Sequence, residues 1–564
     1  MVSLLVVGSV YLTSAQCSVN GGADESACDG GGSDDNIAIT GSQTNTVETG
    51  GGNDNVDISG SGSVDVSSGD GVQNTGGDVN VDGGSINAGD FGAAGISDTG
   101  GGSVTNDSTI NAGPRAQTDG IEESGVGDVN NSGTINANSF LGAGISEADG
   151  GDVNNTGTIT TAQTDNNGIV ESGDGNVNNS GNVISDGFRG NGIVENDNGG
   201  VDNSGTVTTN RSQSSGIIEN GAGDVTNTSA VTTQSNESDA IIENSDGNVN
   251  NSGTINTSNS GSDGIVENGN GNVISSGNIT TNVFNADGII ESGDGNVINS
   301  GNITANGSQS FGINESGGGD VNNSGNITAT GNFSVGISTA SDNDDDTVIN
   351  SGTVTGDTVG IETGNGDDRV INSGTVNGDV ALGDGDDTFT TRGGTVNGVV
   401  DGSTGDDTFL IGANRCEGGD AEQFEDSISG LTGNDSYEGT SWINFEVVGG
   451  DLTTRRCDAS GGAPDGRLNY NDAVAPVALY CDGSVLTIYR IGLDGVPVGV
   501  VTVPGRMVDD SLASAAALNL NVVVIEADSA TLWANVDGTL TISAAPLFAG
   551  DEFYSFTLNG DACG

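Results

Sequence analysis

Apolar side chains in this chain recur in short groups at a fixed interval, not in long runs. Val129, Val153, Val177, Val201, Val225, Val249, Val273, Val297 and Val321 stand 24 residues apart. A second series, on the same step, runs from Ile121 through Ile145, Ile169 and Ile193 to Ile361. A third runs from Ile135 to Ile327, with Val183, Val207 and Val231 among its members. Each apolar position sits in a strand-length segment bounded by Gly, Asn, Asp and Ser, which leaves no room for a helix.

Three short strands per 24-residue period predict an all-β fold: a three-sided parallel β-solenoid, with each strand pairing its equivalent one period on. Successive coils would rise by ~4.8 Å. One Val and two Ile per coil would form a thin, continuous core. The Asn register from Asn131 through Asn155 and Asn179 to Asn323, with Ser275 as its exception, suits an amide ladder at a corner. Gly133, Gly157 and Gly181, two positions further on, would supply the corner conformation. The period shortens at both ends: Ile37 and Val56 are 19 apart, and Val348, Val370, Phe389 and Phe409 are 22, 19 and 20 apart.

The predicted organisation is a leader over 1–16, a cap over 17–29, the solenoid over 30–415 and a small disulfide-bearing β-rich domain over 416–564. Residues 1–16 carry an apolar run with Thr13 and Ala15 at signal-peptidase positions, the alternative being a first buried strand. No other segment is apolar enough, for long enough, to span a membrane. Cys17, Cys28, Cys416, Cys457, Cys481 and Cys563 fall outside the repeat, as expected for disulfide staples on the ends of an exported chain.

Composition narrows the chemistry. The 564 residues include 79 Asp plus Glu against 11 Arg, no Lys and no His, for a net charge of -68. Imidazole and amine catalysis are excluded, and nucleic acid would be repelled. At 32% apolar with this charge, disorder would be the default reading. The 24-residue register argues against it.

Glu123, Glu147, Glu171, Glu195, Glu219, Glu243, Glu267, Glu291 and Glu315 occupy one register, with Asp98 a coil earlier. Stacked carboxylates would repel by about 0.9 kcal/mol per neighbour even in bulk water. The file therefore reads as a ligand face or cation ladder, balanced by cations, backbone N–H groups or protons. The alternative is a solvated turn residue copied with its repeat.

Three segments fit GxGxDxU, with U a large apolar residue: 50–56, 364–370 and 383–389, with 402–409 a near match. Asp54, Asp368, Asp387 and Asp407 would be the calcium ligands, since calcium takes hard oxygen donors; an ordinary Asp-Gly turn is the alternative. Outward Thr158 and Thr160, Thr206 and Thr208 give a partial Thr-x-Thr file, as in an ice-binding solenoid. Plain β-propensity explains it equally.

The GxGxDxU segments resemble the calcium-binding nonapeptides of RTX β-rolls, which run in tandem where these are 19–20 residues apart. The Asn-Ser-Gly-Thr-Ile repeats, the Gly-Asp-Asp-Thr segment and WINFEVV, with Phe445 and Glu446, resemble passenger regions of bacterial autotransporters and related secreted β-solenoid adhesins. The residues after 450 are too few for a translocator barrel. The resemblance implies a secreted or cell-surface adhesin or structural spacer, calcium-rigidified, without enzymatic activity, whose partners are surface glycans or matrix proteins. A polysaccharide-active β-helix enzyme, lyase or hydrolase, is the alternative, and an ice-binding solenoid the third.

Overall fold

A computed structural model describes residues 36–411 apart from 50, 51, 68, 90, 91, 115, 116, 342 and 392. Outside that range it describes only the backbones of twelve strands, from 16–19 to 557–559. All regular structure among the described residues is β, and the fold is the parallel β-solenoid that the register predicts. The chain divides into two compact units, Met1–Asp287 and Gly288–Gly564.

One coil of the first unit shows why the sequence folds this way. Its first face is Ile121–Glu123, its second Val129–Asn131 and its third Thr134–Ala137. Side chains alternate in and out along each strand, so Ile121, Val129 and Ile135 point inward and are fully buried. Each such side chain is worth about 1.5–3 kcal/mol when removed from water. Every face pairs in parallel with the next coil in strict register: Ile121 with Ile145, Val129 with Val153, Ile135 with Ile159. The short coil at the start obeys the same rule, with Ile37 opposite Val56.

Corners are closed by side chains. Asn131 donates from Nδ2 to Oδ1 of Asn155 at 2.7 Å, and the same bond links Asn155 to Asn179, Asn179 to Asn203 and Asn203 to Asn227 at 2.7–2.8 Å. These amides are almost wholly buried. Gly157 has an ordinary φ; it is Gly because a Cβ there would collide with the carbonyl of Gly133 in the coil before. The sequence pointed to a turn conformation at this position, and the actual reason is how closely two coils approach.

The corner between the third and first faces differs. Gln117, Leu141, Asp165, Arg189, Gln213, Glu237, Gly261 and Asn285 all have φ between 51° and 61°. This left-handed column is knitted from coil to coil: the Asp165 N–H donates to the Phe188 carbonyl at 2.8 Å, and that of Gln213 to Asn236 at 3.0 Å.

The second unit repeats the plan over Val297, Val321, Val348, Val370, Phe389 and Phe409. Its coils shorten because a corner disappears. Thr353–Asn365 is one strand that pairs with both Asn326–Thr328 of the third face and Val335–Ser338 of the first. Phe389 and Phe409, both fully buried, fill the core of the smaller coils. Parallel pairing extends through 434–439 and 451–456, and antiparallel pairing begins at 466–470. The boundaries expected at 29/30 and 415/416 fall outside the described residues, as do all six Cys side chains and the leader, save the backbone of Gln16.

Candidate functional site

Three arrangements arise from the coils: a buried glutamate column, a pair of aspartate staircases and an exposed ridge on the left-handed corner.

The glutamates close the first-face strands. With Ile121 and Glu123 two apart, both face inward, and all nine glutamates of the file are 0% exposed. The picture of a solvated turn residue is thereby overturned. In the first unit Glu123, Glu147, Glu171, Glu195, Glu219, Glu243 and Glu267 are successive register partners; in the second, Glu291 is opposite Glu315.

One oxygen of each is held by the turn that follows. Glu123 Oε1 accepts from Gly125 at 2.9 Å, Glu171 from Gly173 at 2.8 Å and Glu219 from Gly221 at 2.7 Å. Glu147 accepts three backbone N–H groups, from Asp149, Gly150 and Gly151, at 3.0–3.1 Å. The Oε2 atoms of Glu123, Glu171, Glu195, Glu219, Glu243 and Glu267 are buried and receive no hydrogen bond. Register neighbours ~4.8 Å apart would repel by about 3.5 kcal/mol at an effective dielectric of about 20. Burial, reinforced by adjoining carboxyls, raises Glu123 to about 8, Glu171 to about 10 and Glu219 to about 11.

The aspartate staircases explain the Gly-Asp-Asp segments. Buried Asp368, Asp387 and Asp407 each accept, through Oδ1, the N–H of the equivalent Asp one coil earlier: Asp346, Asp368 and Asp387, at 2.8, 2.8 and 3.0 Å. Their exposed neighbours Asp345, Asp367 and Asp386 accept in the opposite sense, from Asp367, Asp386 and Asp406 one coil later, at 2.8–2.9 Å. Two consecutive Asp thus staple a coil both backward and forward. Burial lifts Asp387 to about 7, against the lowering effect of the Asp368 N–H. Calcium takes six to eight oxygens, and each coil here brings one buried Asp, whose Oδ1 holds a backbone donor. Among the described residues no three Asp, Glu, His or Cys side chains gather as a metal cluster. Asp54 is buried and belongs to the first unit, whereas Asp368, Asp387 and Asp407 belong to the second.

The outward Thr and Asn of the third face are half-buried or exposed, and some bond along the axis, as Thr206 Oγ1 does to Asn182 at 2.6 Å.

The ridge was not foreseen. Among the described residues eight large apolar side chains are exposed; in the first unit Phe140, Leu141, Phe188 and Phe284 occupy two consecutive positions of the left-handed corner, and in the second unit exposed Phe333 has the same left-handed φ. Arg189 lies over the Phe188 ring at 5.3 Å and bonds Asp165 at 2.7 Å. The signal was present: Phe140, Phe188 and Phe284 are separated by multiples of the period. Asp119, Asp239, Asp263 and Asp287 form another register that the apolar pattern concealed. Burial raises Asp119 to about 6 and Asp263 to about 8.

No protein-family model matches the chain, and no curated protein matches it. A solved structure with a similar outline is the Siphovirus 9NA tailspike receptor binding domain, 11% identical, covering 81% of this chain and 94% of its own at a TM-score of 0.23, too slight a likeness to bear on function.

Proposed function

We propose that the chain is a secreted or cell-surface, non-enzymatic β-solenoid that acts as an adhesin or spacer and binds surface glycans or matrix proteins along its left-handed corner. The observation that carries this reading is the concentration of exposed Phe on that corner. Solvent-facing aromatic side chains on a rigid backbone offer large contact area at little entropic cost. Phe140 and Phe188 are two coils apart, or ~9.6 Å along the axis, which suits an extended polymer lying along the edge. The nine glutamates support the non-enzymatic reading, because 0% exposure withholds them from a bound substrate.

The test is a glycan and matrix-protein array probed with the chain and with a Phe140→Ala, Phe188→Ala, Phe284→Ala variant. Binding by the wild type that disappears in the variant, at an unchanged melting temperature, is the expected result. Equal binding by both would move the site elsewhere. New reducing ends released from a bound polysaccharide would replace this reading with the enzymatic one.

A further inference from the structure

The glutamate column begins as an ordinary hydrogen-bonded file. Thr49 Oγ1 donates to Asn74 Oδ1 at 2.8 Å, and Asn74 Nδ2 donates to Asp98 Oδ2 at 3.1 Å. Each member gives a hydrogen bond to the next along the axis. Asp98 is the register partner of Glu123, and from there every member to Glu267 is a carboxyl. A chain of donors can continue through carboxyls only if some carry their own proton. The unengaged Oε2 atoms of Glu123, Glu171, Glu219 and Glu243 are where such protons would sit.

We propose that the column from Asp98 to Glu267 is a proton-sharing file, in which carboxylic acid members donate O–H to the adjoining carboxylate, so that folding at neutral pH takes up protons and the fold is firmer in acid than in alkali.

Among the described residues, the charged groups around the column are acids. Asp98 stands at the head of the file. The turn that follows it adds the exposed Asp149, Asp174, Asp197 and Asp246, and the outward side of the first strand adds Glu122. Before and within the second face lie Asp128, Asp152, Asp202 and Asp224. Half-buried Asp119, Asp239 and Asp263 precede the first face, and the Oδ1 of each accepts a backbone N–H of the next coil. All of these are acids. The cationic side chains described between 117 and 287 are Arg189 and Arg211, both exposed in the left-handed corner.

The sign of the effect follows. Folding raises Glu171 and Glu219 to about 10 and about 11, so the folded chain holds at least two protons at neutral pH that the unfolded chain has released. When the native state binds more protons, stability falls as pH rises, from the unfolded value near 4.5 up to the folded values.

The experiment uses the full chain in calcium-free buffer between about pH 5 and about pH 8.5. Melting temperature should fall steadily with pH, unfolding at about pH 7.5 should release about two or more protons, and infrared spectra there should retain an un-ionised carboxyl band. Glu219→Gln, whose amide donates without titrating, should lower the proton release by about one and flatten the pH dependence. A purely structural role would shift melting equally at every pH. A flat or rising melting temperature, no proton release, or no un-ionised band would overturn the proposal. So would a band abolished by added calcium. If Glu219→Gln does not fold, proton release that persists in Asp263→Asn, which removes a raised acid outside the column, decides the question.

Discussion

Asn131 Nδ2 lies 2.7 Å from Asn155 Oδ1, a bond that each amide of the second-face corner repeats toward its successor. One amide receives and gives along the axis, so the corner is a chain of mutual dependence. Asn203→Ala would leave Asn179 without its acceptor and Asn227 without its donor, both buried. The expected loss is about 2–4 kcal/mol by chemical denaturation, from two orphaned groups at about 1–3 kcal/mol each, partly relaxed. Asn203→Ser should cost less, since Ser275 already takes this place in the file and accepts from Asn251 at 3.4 Å.

The core columns predict a graded response to truncation. Ile159 is fully buried, and its third-face equivalents include Val183 and Val207. Ile159→Val should therefore cost about 0.5–1.5 kcal/mol and Ile159→Ala about 2–5 kcal/mol, measured by urea unfolding of the full chain.

Two glycines should behave oppositely. At Gly157 a Cβ would press into the Gly133 carbonyl, so Gly157→Ala should lower the melting temperature. At Gly261 there is open space and φ is 61°, a conformation that Asn285 adopts one coil on. Gly261→Asn should be neutral, or stabilise by up to about 1 kcal/mol through the unfolded chain's lost freedom.

Asp263 gives a local pH test separate from the glutamates. Its carboxyl is raised to about 8 by burial and by Asp239, and its Oδ1 accepts the Asp287 N–H at 2.6 Å. A raised acid destabilises the fold as pH climbs from its unfolded value to about 8. Asp263→Asn keeps the acceptor and removes the charge. It should leave stability unchanged near pH 4 and raise it by about 1.4 kcal/mol or more near pH 8; melting curves at the two pH values decide.

The sequence revealed the coil well because its information is one-dimensional. Identical residues stack, so Val129 and Val153, or Asn131 and Asn155, announce their contact through spacing alone. The same regularity placed the nine glutamates in one file. It did not reveal which way they face, because the Gly-rich segment after Glu123 reads as a solvated turn. Inward orientation follows only from the alternation that begins at Ile121. The role of the Asp pairs in joining coils was hidden for a related reason. Gly-Asp-Asp shows a set of oxygens in the sequence, but not the N–H groups of the adjoining coils that they accept from. The ridge is hidden in the apolar periodicity because Phe140, Phe188 and Phe284 keep the period of the interior columns while facing outward.

The left-handed corner of the first unit holds Gln, Leu, Asp, Arg, Gln, Glu, Gly and Asn at one backbone position with hardly any change in φ. Geometry there is set by the neighbouring coils' carbonyls and not by the side chain. That separates shape from message. Each coil is an addressable peg ~4.8 Å from the next, and its residue can be rewritten without refolding the board. A lineage, or an engineer, could therefore compose a new surface text one letter per coil, leaving the grammar of the interior untouched.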